Sequence, residues 1–356
     1  MLKNFINVLG VMSGTSLDGV DFCLVSFNSK NISDFKILKT HTYKYDEAWK
    51  NSLRNAIKLN NREIRKLNIE FGLLISKYVN QFIIDFSTPK IDLISSHGHT
   101  VFHEPEKGLT LQIGDGKVIS QKTRTKVVCN FRVQDVNLGG QGAPLVPIGD
   151  LNLFMNYKFC LNLGGFANIS IKTNEGIQAF DICPVNTVLN YYSKKMGHEY
   201  DRNGFLSKSG QTDKILLSEL NNLDFYQKSG PKSLGIEFVN ELIIPLIEKK
   251  LLKPDDILMT FIDHISFQIN ESVKKYSMNK ILITGGGVFN NNLIERIKSK
   301  IKHKVIIPKQ EIINFKEALI FAYLGILRIN NEINCLKSVT GAKKNHSSGD
   351  IINYNS

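Results

Sequence analysis

No run of about 18 consecutive apolar residues occurs in the chain, which excludes a conventional transmembrane helix. Its five cysteines are odd in number, widely separated and free of CxxC spacing, which excludes a dense disulfide framework and the usual zinc-ribbon pattern. Cys23, Cys129 and Cys160 fall inside apolar, strand-like runs, where a thiol behaves as a small hydrophobe. Arginine is scarce among the 45 cationic residues. The lysines are scattered, with short pairs such as Lys194-Lys195 and Lys249-Lys250 and no aromatic interleaving. A net charge of +12 therefore does not make a nucleic-acid reader, because base readout leans on arginine. A compositional bias toward Lys, Asn and Ile accounts for it. Neither a Walker P-loop nor a G-x-G-x-x-G fingerprint is present. The N-terminal apolar stretch is interrupted by Asn7, has no A-x-A site after it and soon meets Asp18 and Asp21, so it does not read as a signal peptide. The expectation is a cytoplasmic protein with reduced thiols and neither nucleic acid nor membrane as partner.

At 356 residues with 42% hydrophobic content, the chain exceeds one ordinary core and predicts two domains or two lobes. Residues 5–12 and 20–27 read as strands joined by the polar turn Ser13-Gly14-Thr15-Ser16-Leu17-Asp18-Gly19. Residues 47–87 carry helical periodicity. "IDLISSHGHTVFH" reads as a buried strand that breaks at Ser96-His97-Gly98, and "KVVCNFRVQDV" as another strand. The second half begins like the first: "FCLNLGGFANISI" is again a strand, a glycine turn and an alternating strand. Pro184 starts a helix, and residues 235–250 and 256–275 read as amphipathic helices. "KILITGGGVFNNNLIERIKSKI" is strand, glycine turn, helix, and a last helix follows Pro308. A strand-turn-strand with a glycine bend near the start of each half suggests two related lobes.

Three glycine turns need one explanation: Gly14 to Gly19, Gly164-Gly165 and Gly285-Gly286-Gly287. Glycine permits positive φ and close backbone approach, and successive N–H groups in such bends form anion nests. Hydroxyls at Thr15 and Ser16 add donors, and Asp18 is suited to hold the waters of a hydrated Mg²⁺. Tight hairpins also use glycine without any ligand, so any single turn reads first as plain structure. Three together point to nucleotide phosphates.

From the opening "GVMSGTSLDGVD" onward the chain resembles the anhydro-N-acetylmuramic acid kinases, sugar kinases of the actin and Hsp70 superfamily. The resemblance runs in order through "SHGHTVFH", "LQIGDGKVIS", "FRVQDVNLGGQGAPLVP", "NLGGFANIS", "YDRNG", "GPKSLGIEF", "ITGGGVFNN", "KEALIFAYLG" and "SVTGA". It implies an α/β fold of the two-lobed actin-like ATPase (ribonuclease H-like) kind with a central cleft. The lobes expected are residues 1–143 plus 312–356, and residues 144–311. It implies ATP and Mg²⁺ as cofactors, with Gly14, Thr15, Ser16, Leu17, Asp18, Gly19, Val20 and Asp21 on the phosphates and metal. Gly164 and Gly165 would form a second phosphate turn, and Gly285, Gly286 and Gly287 would meet the adenosine.

By the same resemblance Asp181 is the catalytic base. A carboxylate just ahead of a helix start also serves as an N-terminal helix partner, and from the residues alone that reading stands beside the catalytic one. The implied reaction activates water at the anomeric carbon, opens the 1,6-anhydro ring and phosphorylates O6, within cell-wall sugar recycling. A sibling sugar kinase with another acceptor, or a non-catalytic ATP-binding protein, is the alternative. The family pattern Asp-Thr-Gly-Pro-Gly-Asn stands here as Asp181-Ile182-Cys183-Pro184-Val185-Asn186, and a positive φ at either replaced glycine would strain Cys183 or Val185. Cys183 as a nucleophile lacks a visible base.

His97 and Thr100 are expected on the amino-sugar substrate, as is Arg132, gripping its lactyl carboxylate; an Arg132–Asp135 ion pair is the structural alternative. Glu317 is expected on the sugar, with Gln112 and Asp115 as weaker candidates. His97, His99 and His103 also have metal-like spacing on one strand face, and His99 departs from the glutamine common in the family. The resemblance further implies a homodimer.

Overall fold

The computed structural model describes residues 4–14, 16–228 and 232–355. The chain forms two compact units, Met1–Leu153 with Phe315–Ser356, and Phe154–Asn314.

In the first unit the apolar run Val8–Met12 becomes the interior of β1 (Phe5–Ser13), buried on both faces as a central strand requires. It pairs antiparallel with β2 (Gly19–Asn28), which pairs antiparallel with β3 (Asn31–Lys44). On its other side β1 runs parallel to β4 (Leu93–Glu104). That strand carries β5 (Leu109–Ile113) antiparallel and β6 (Lys126–Cys129) parallel, and the terminal strand Asp350–Ile352 closes on β6. Helix α1 (Asn61–Phe86) begins with a complete capping box, Asn60 with Glu63, and presents Phe71, Ile75, Val79 and Phe82 to the core.

Two expectations from the sequence need correcting here. β4 does not break at Ser96-His97-Gly98: Gly98 takes φ +76° within a continuous strand, and the register shifts around it. "KVVCNFRVQDV" is not one strand, because Asn130 turns left-handed (φ 57°) after Cys129 and Val133–Asn137 is a short helix.

The second unit builds its sheet from β7 (Phe159–Leu163), β8 (Phe166–Thr173), β9 (Gly176–Pro184), β10 (Lys280–Thr284) and β11 (Lys304–Ile306), in the order β11-β10-β7-β8-β9. Taken from the antiparallel edge, the first sheet runs β3-β2-β1-β4-β6 and the second β9-β8-β7-β10-β11, each with three antiparallel strands followed by two parallel ones, while β5 and the antiparallel terminal strand are additions to the first sheet. This is the ribonuclease H-like arrangement, present twice, as in actin-like kinases. Helix α2 (Asn186–Lys195) follows β9, α3 (Pro254–Val273) is buried along most of its length, and α4 (Asn291–Lys300) follows β10.

Helix α5 (Gln310–Ile329) is broken at Phe315, the residue at which the first unit resumes. The first division falls after Leu153 rather than at residue 143. The short helix Pro147–Leu153 stays with the first unit because Asp150 is ion-paired to Lys316 at 2.6 Å and Gly149 lies against Ile320. Among the described residues no helix is long and apolar enough to cross a membrane.

Gly10 shows how closely β1 and α5 approach: a Cβ built there would lie 1.9 Å from the Ala318 carbonyl oxygen. Backbone cannot swing aside as a side chain can. Gly10→Ala is expected to cost about 3 kcal/mol, the upper end for overpacking, seen as a lower urea midpoint with unchanged m-value.

Candidate active site

The turn between β1 and β2 is held from below. Ser13 Oγ lies 2.6 Å from Tyr45 Oη and 2.9 Å from His99 Nδ1. Leu17 takes φ 59°, and Gly19 has no room for a Cβ against the Tyr43 carbonyl. Ser16 and Asp18 are exposed at the tip, Gly14 and Leu17 half-buried, while the Val20 side chain is wholly core, leaving only its backbone for a ligand. Thr15 lies outside the described residues. Asp21 accepts a 2.5 Å hydrogen bond from Thr42 Oγ1. Burial raises its pKa, with Thr42 opposing and the charge of Asp18 adding to the rise.

Arg132, half-buried after β6, donates from Nε to His97 Nε2 at 3.0 Å. His97 Nδ1 lies 2.9 Å from the Gly98 carbonyl, which can only accept, so the ring is the Nδ1–H tautomer. Burial first, and the Arg132 charge second, hold its pKa well below the ordinary value. Among the described residues Arg132 makes no ion pair with Asp135, whose carboxylate instead accepts from Gly142 N–H and Thr340 Oγ1. The structural alternative for Arg132 is thereby set aside.

Glu317 is exposed at its own surface yet densely surrounded. Loss of hydration raises its pKa, Arg132 and Lys316 pull it down, and Asp21 pushes it up again. Asp18, Asp21, Glu317, Arg132 and His97 thus form one electrostatically linked set within the first unit. Thr100 is half-buried on β4, opposite Gln112 of β5.

The histidine trio does not assemble a metal site among the described residues. The left-handed Gly98 and the irregular register disrupt the simple alternation. His97 turns to Arg132, His99 to Ser13 and His103 to Thr110. Asp115 is a helix cap, accepting from Lys117 and Val118 N–H.

In the second unit, Gly164-Gly165 turn β7 into β8. Gly164 N–H donates to the Phe166 carbonyl, whereas Gly165 N–H has no acceptor among the described residues. The Gly165 carbonyl accepts from Val185 N–H and from Thr187 Oγ1, tying the turn to the start of α2. Gly285 has φ 86°, and a Cβ on it would strike Asn162 Oδ1 and the Leu163 backbone. Gly286 sits beside Asn186, and Gly287 against Leu163. Both glycine turns and the start of α2 therefore converge on the C-terminal ends of β7 and β10.

Asp181 is positioned by an irregularity in β9. Asn168 pairs with Asp181 but Ala167 with Cys183, leaving Ile182 as a bulge. Ile182 and Cys183 consequently both enter the core, and Asp181 stays half-exposed. Its Oδ2 accepts from Leu234 N–H at 2.9 Å, and its own N–H donates to Lys232 O at 2.9 Å. Burial raises the carboxyl pKa and the Leu234 bond opposes that rise. Neither Cys183 nor Val185 takes positive φ; both are fully buried in the core, so the replaced glycines became packing residues. Burial pushes the Cys183 thiol far up, which removes it as a nucleophile. Sequence reasoning missed the Leu234 N–H and the Tyr45–Ser13–His99 chain. The motif "GPKSLGIEF" contained the first without indicating its partner.

Buried neutral histidines carry a stability consequence. Burial lowers His99 to about 4 and His264 to about 3, against 6.5 for an ordinary ring. Below pH 6.5 the unfolded chain binds protons that the folded chain refuses, so stability rises with pH across that range. Urea unfolding at pH 5 is expected to show about 2 kcal/mol less stability per such histidine than at pH 7.5.

The chain is similar to known proteins over nearly its whole length. The family model described as anhydro-N-acetylmuramic acid kinase matches residues 6–354. The chain is 31% identical over 375 residues to "Anhydro-N-acetylmuramic acid kinase" of Bacillus cereus, covering 97% of this chain and 98% of that protein. It is 33% identical over 374 residues to the protein of the same name in Haemophilus influenzae, covering 97% of each. Among solved structures, a ROK family glucokinase from Streptomyces griseus in complex with glucose and AMPPNP aligns with TM-score 0.42 and 10% identity. That alignment covers 90% of this chain and 99% of that one. With a family model matched over nearly its whole length and relatives above 30% identity, the chain belongs to the anhydro-N-acetylmuramic acid kinase family, and is a carbohydrate kinase.

Proposed function

We propose that the chain uses ATP and water to convert 1,6-anhydro-N-acetylmuramic acid into N-acetylmuramate 6-phosphate and ADP, recovering a cell-wall sugar in the cytoplasm. Family membership supports the substrate class. The observation that carries the mechanism is Asp181: half-exposed, anchored through Oδ2 by Leu234 N–H, with Oδ1 unpartnered among the described residues. In this reading Oδ1 takes a proton from water as the water oxygen bonds to C1. The C1–O6 bond breaks, and O6 keeps its electron pair to attack the γ-phosphorus while ADP departs. Because the leaving oxygen is captured by phosphorus, no separate general acid is needed.

Arg132 grips the lactyl carboxylate through its Nη groups, its Nε being engaged by His97. His97, Thr100 and Glu317 line the sugar. The N–H groups of Gly14 to Asp21 and of Gly165 receive the phosphates, and the turn Gly285 to Gly287 meets the nucleoside at Gly286, the least crowded of the three. The donor chemistry of Asp18 and Asp21, two mutually repelling carboxylates, fits a hydrated Mg²⁺. When bound, that ion neutralises the charge of the transferring phosphoryl group.

Mass spectrometry of the reaction in ¹⁸O-labelled water tests this reading. The expected product is a sugar 6-phosphate carrying the heavy oxygen at C1. ADP formation without labelled sugar phosphate would refute the coupled step.

A further inference from the structure

Asp135, Cys335 and His346 are not among the residues assigned to the reaction. Asp135 is on the short helix immediately after Arg132, while Cys335 and His346 face each other across an isolated antiparallel bridge near the C-terminus. Their backbones exchange two hydrogen bonds, Cys335 N–H to His346 O at 3.0 Å and His346 N–H to Cys335 O at 3.2 Å. The three side chains are 0%, 2% and 5% exposed, and one ligand atom from each lies within 4.8 Å of the others.

The hydrogen-bond inventory of this cluster does not close. His346 Nδ1 lies 3.1 Å from the Lys344 carbonyl, which only accepts, so Nδ1 carries the ring proton. In the neutral ring Nε2 is then a bare lone pair, with no hydrogen-bond partner among the described residues. It faces Asp135 Oδ1 at 3.4 Å. That oxygen is an acceptor too, already receiving Thr340 Oγ1–H at 2.8 Å, while Gly142 N–H donates to Oδ2 at 2.7 Å. Two acceptors and a thiol thus converge in the buried interior, where leaving polar groups unpaired is costly. Something positive belongs between them.

We propose that Asp135, Cys335 and His346 bind one Zn²⁺ ion. Sulfur, imidazole nitrogen and carboxylate oxygen are the ligands zinc accepts in tetrahedral geometry. A thiolate, a carboxylate and a neutral imidazole balance the ion's two charges, so the loaded cluster is neutral in its buried setting. Binding replaces the Cys335 S–H bond with Zn–S and releases one proton to solvent. The outer contacts are those that orient metal ligands: the Lys344 carbonyl on the histidine, and Thr340 with Gly142 on the carboxylate. A water carried in with the ion would complete the tetrahedron. The ion clamps the C-terminal segment to the short helix that follows Arg132, and it takes no part in phosphoryl transfer.

The test uses untagged, full-length protein, stripped with a chelator and titrated with Zn²⁺ and with Co²⁺. Expected are about one zinc per chain, a near-ultraviolet thiolate-to-Co²⁺ absorption band and a higher melting temperature with zinc. In Cys335→Ser and His346→Gln the band is expected to disappear or weaken, with zinc affinity at least about tenfold lower. A wild-type protein with no Co²⁺ band and no zinc-dependent melting shift overturns the proposal. Unchanged metal binding in both variants overturns it as well. If neither variant folds, the wild-type band and melting shift decide alone.

Discussion

Asp181→Asn is expected to lower kcat about 10³-fold, the middle of the range for a positioned general base, while a non-hydrolysable ATP analogue binds as before. The amide keeps the shape of the side chain and still accepts from Leu234 N–H, but cannot take a proton from water. Steady-state ADP release together with calorimetric titration of the analogue separates the two effects. The pH profile supplies a second reading. Burial raises the Asp181 pKa above the ordinary 3.8, and the base works only when ionised. Activity must therefore fall as pH drops through that raised value, so the acid limb of kcat/KM lies higher than a solvent-exposed aspartate would give. Circular dichroism across the same range distinguishes this limb from acid unfolding driven by His99 and His264. An Asn variant that turns over at the wild-type rate would remove Asp181 from the chemistry.

The second large effect is expected at Arg132. If Arg132 grips the sugar carboxylate as proposed, its replacement by Gln removes a charged, forked donor, and hydrogen bonds to charged groups contribute about 1.5–3 kcal/mol each. The sugar KM is expected to rise about 10- to 100-fold, corresponding to that range, with the KM for ATP little changed. A sugar lacking the lactyl carboxylate should show the reverse pattern: weak binding to wild type and no further loss in the variant. Equal losses for both sugars would mean that Arg132 acts through the protein alone, by holding Glu317 and His97 in place. Burial of His97 with an Arg charge beside it keeps the imidazole neutral, so its Nε2 lone pair remains available to aim the guanidinium.

Much of this molecule was legible in the order of its residues. Strong apolar runs ending in glycine turns located β1, β7 and β10, and the recurrence of strand-turn-strand in each half anticipated the doubled topology. Local signals of that kind survive folding because they depend on neighbours a few positions away. Where the reading failed, a distant contact or one backbone angle decided. Left-handed Asn130 turned an expected strand into a short helix, and left-handed Gly98 lies within a strand expected to break there. Ile182 bulged out of register, sending Cys183 inward and leaving Asp181 half-exposed, which no periodicity foretells.

Composition and motif order by themselves determined the family, the doubled α/β architecture and the identities of the chemically able side chains. These are properties of local pattern and residue type. Only the tertiary structure decided what each polar group meets: Arg132 with His97 rather than Asp135, His99 with Ser13 rather than a metal, and Asp135 with Cys335 and His346 across some 200 residues of chain. Hydrogen-bond partners and desolvation are set by three-dimensional proximity, and proximity between distant segments exists only once both sheets have formed.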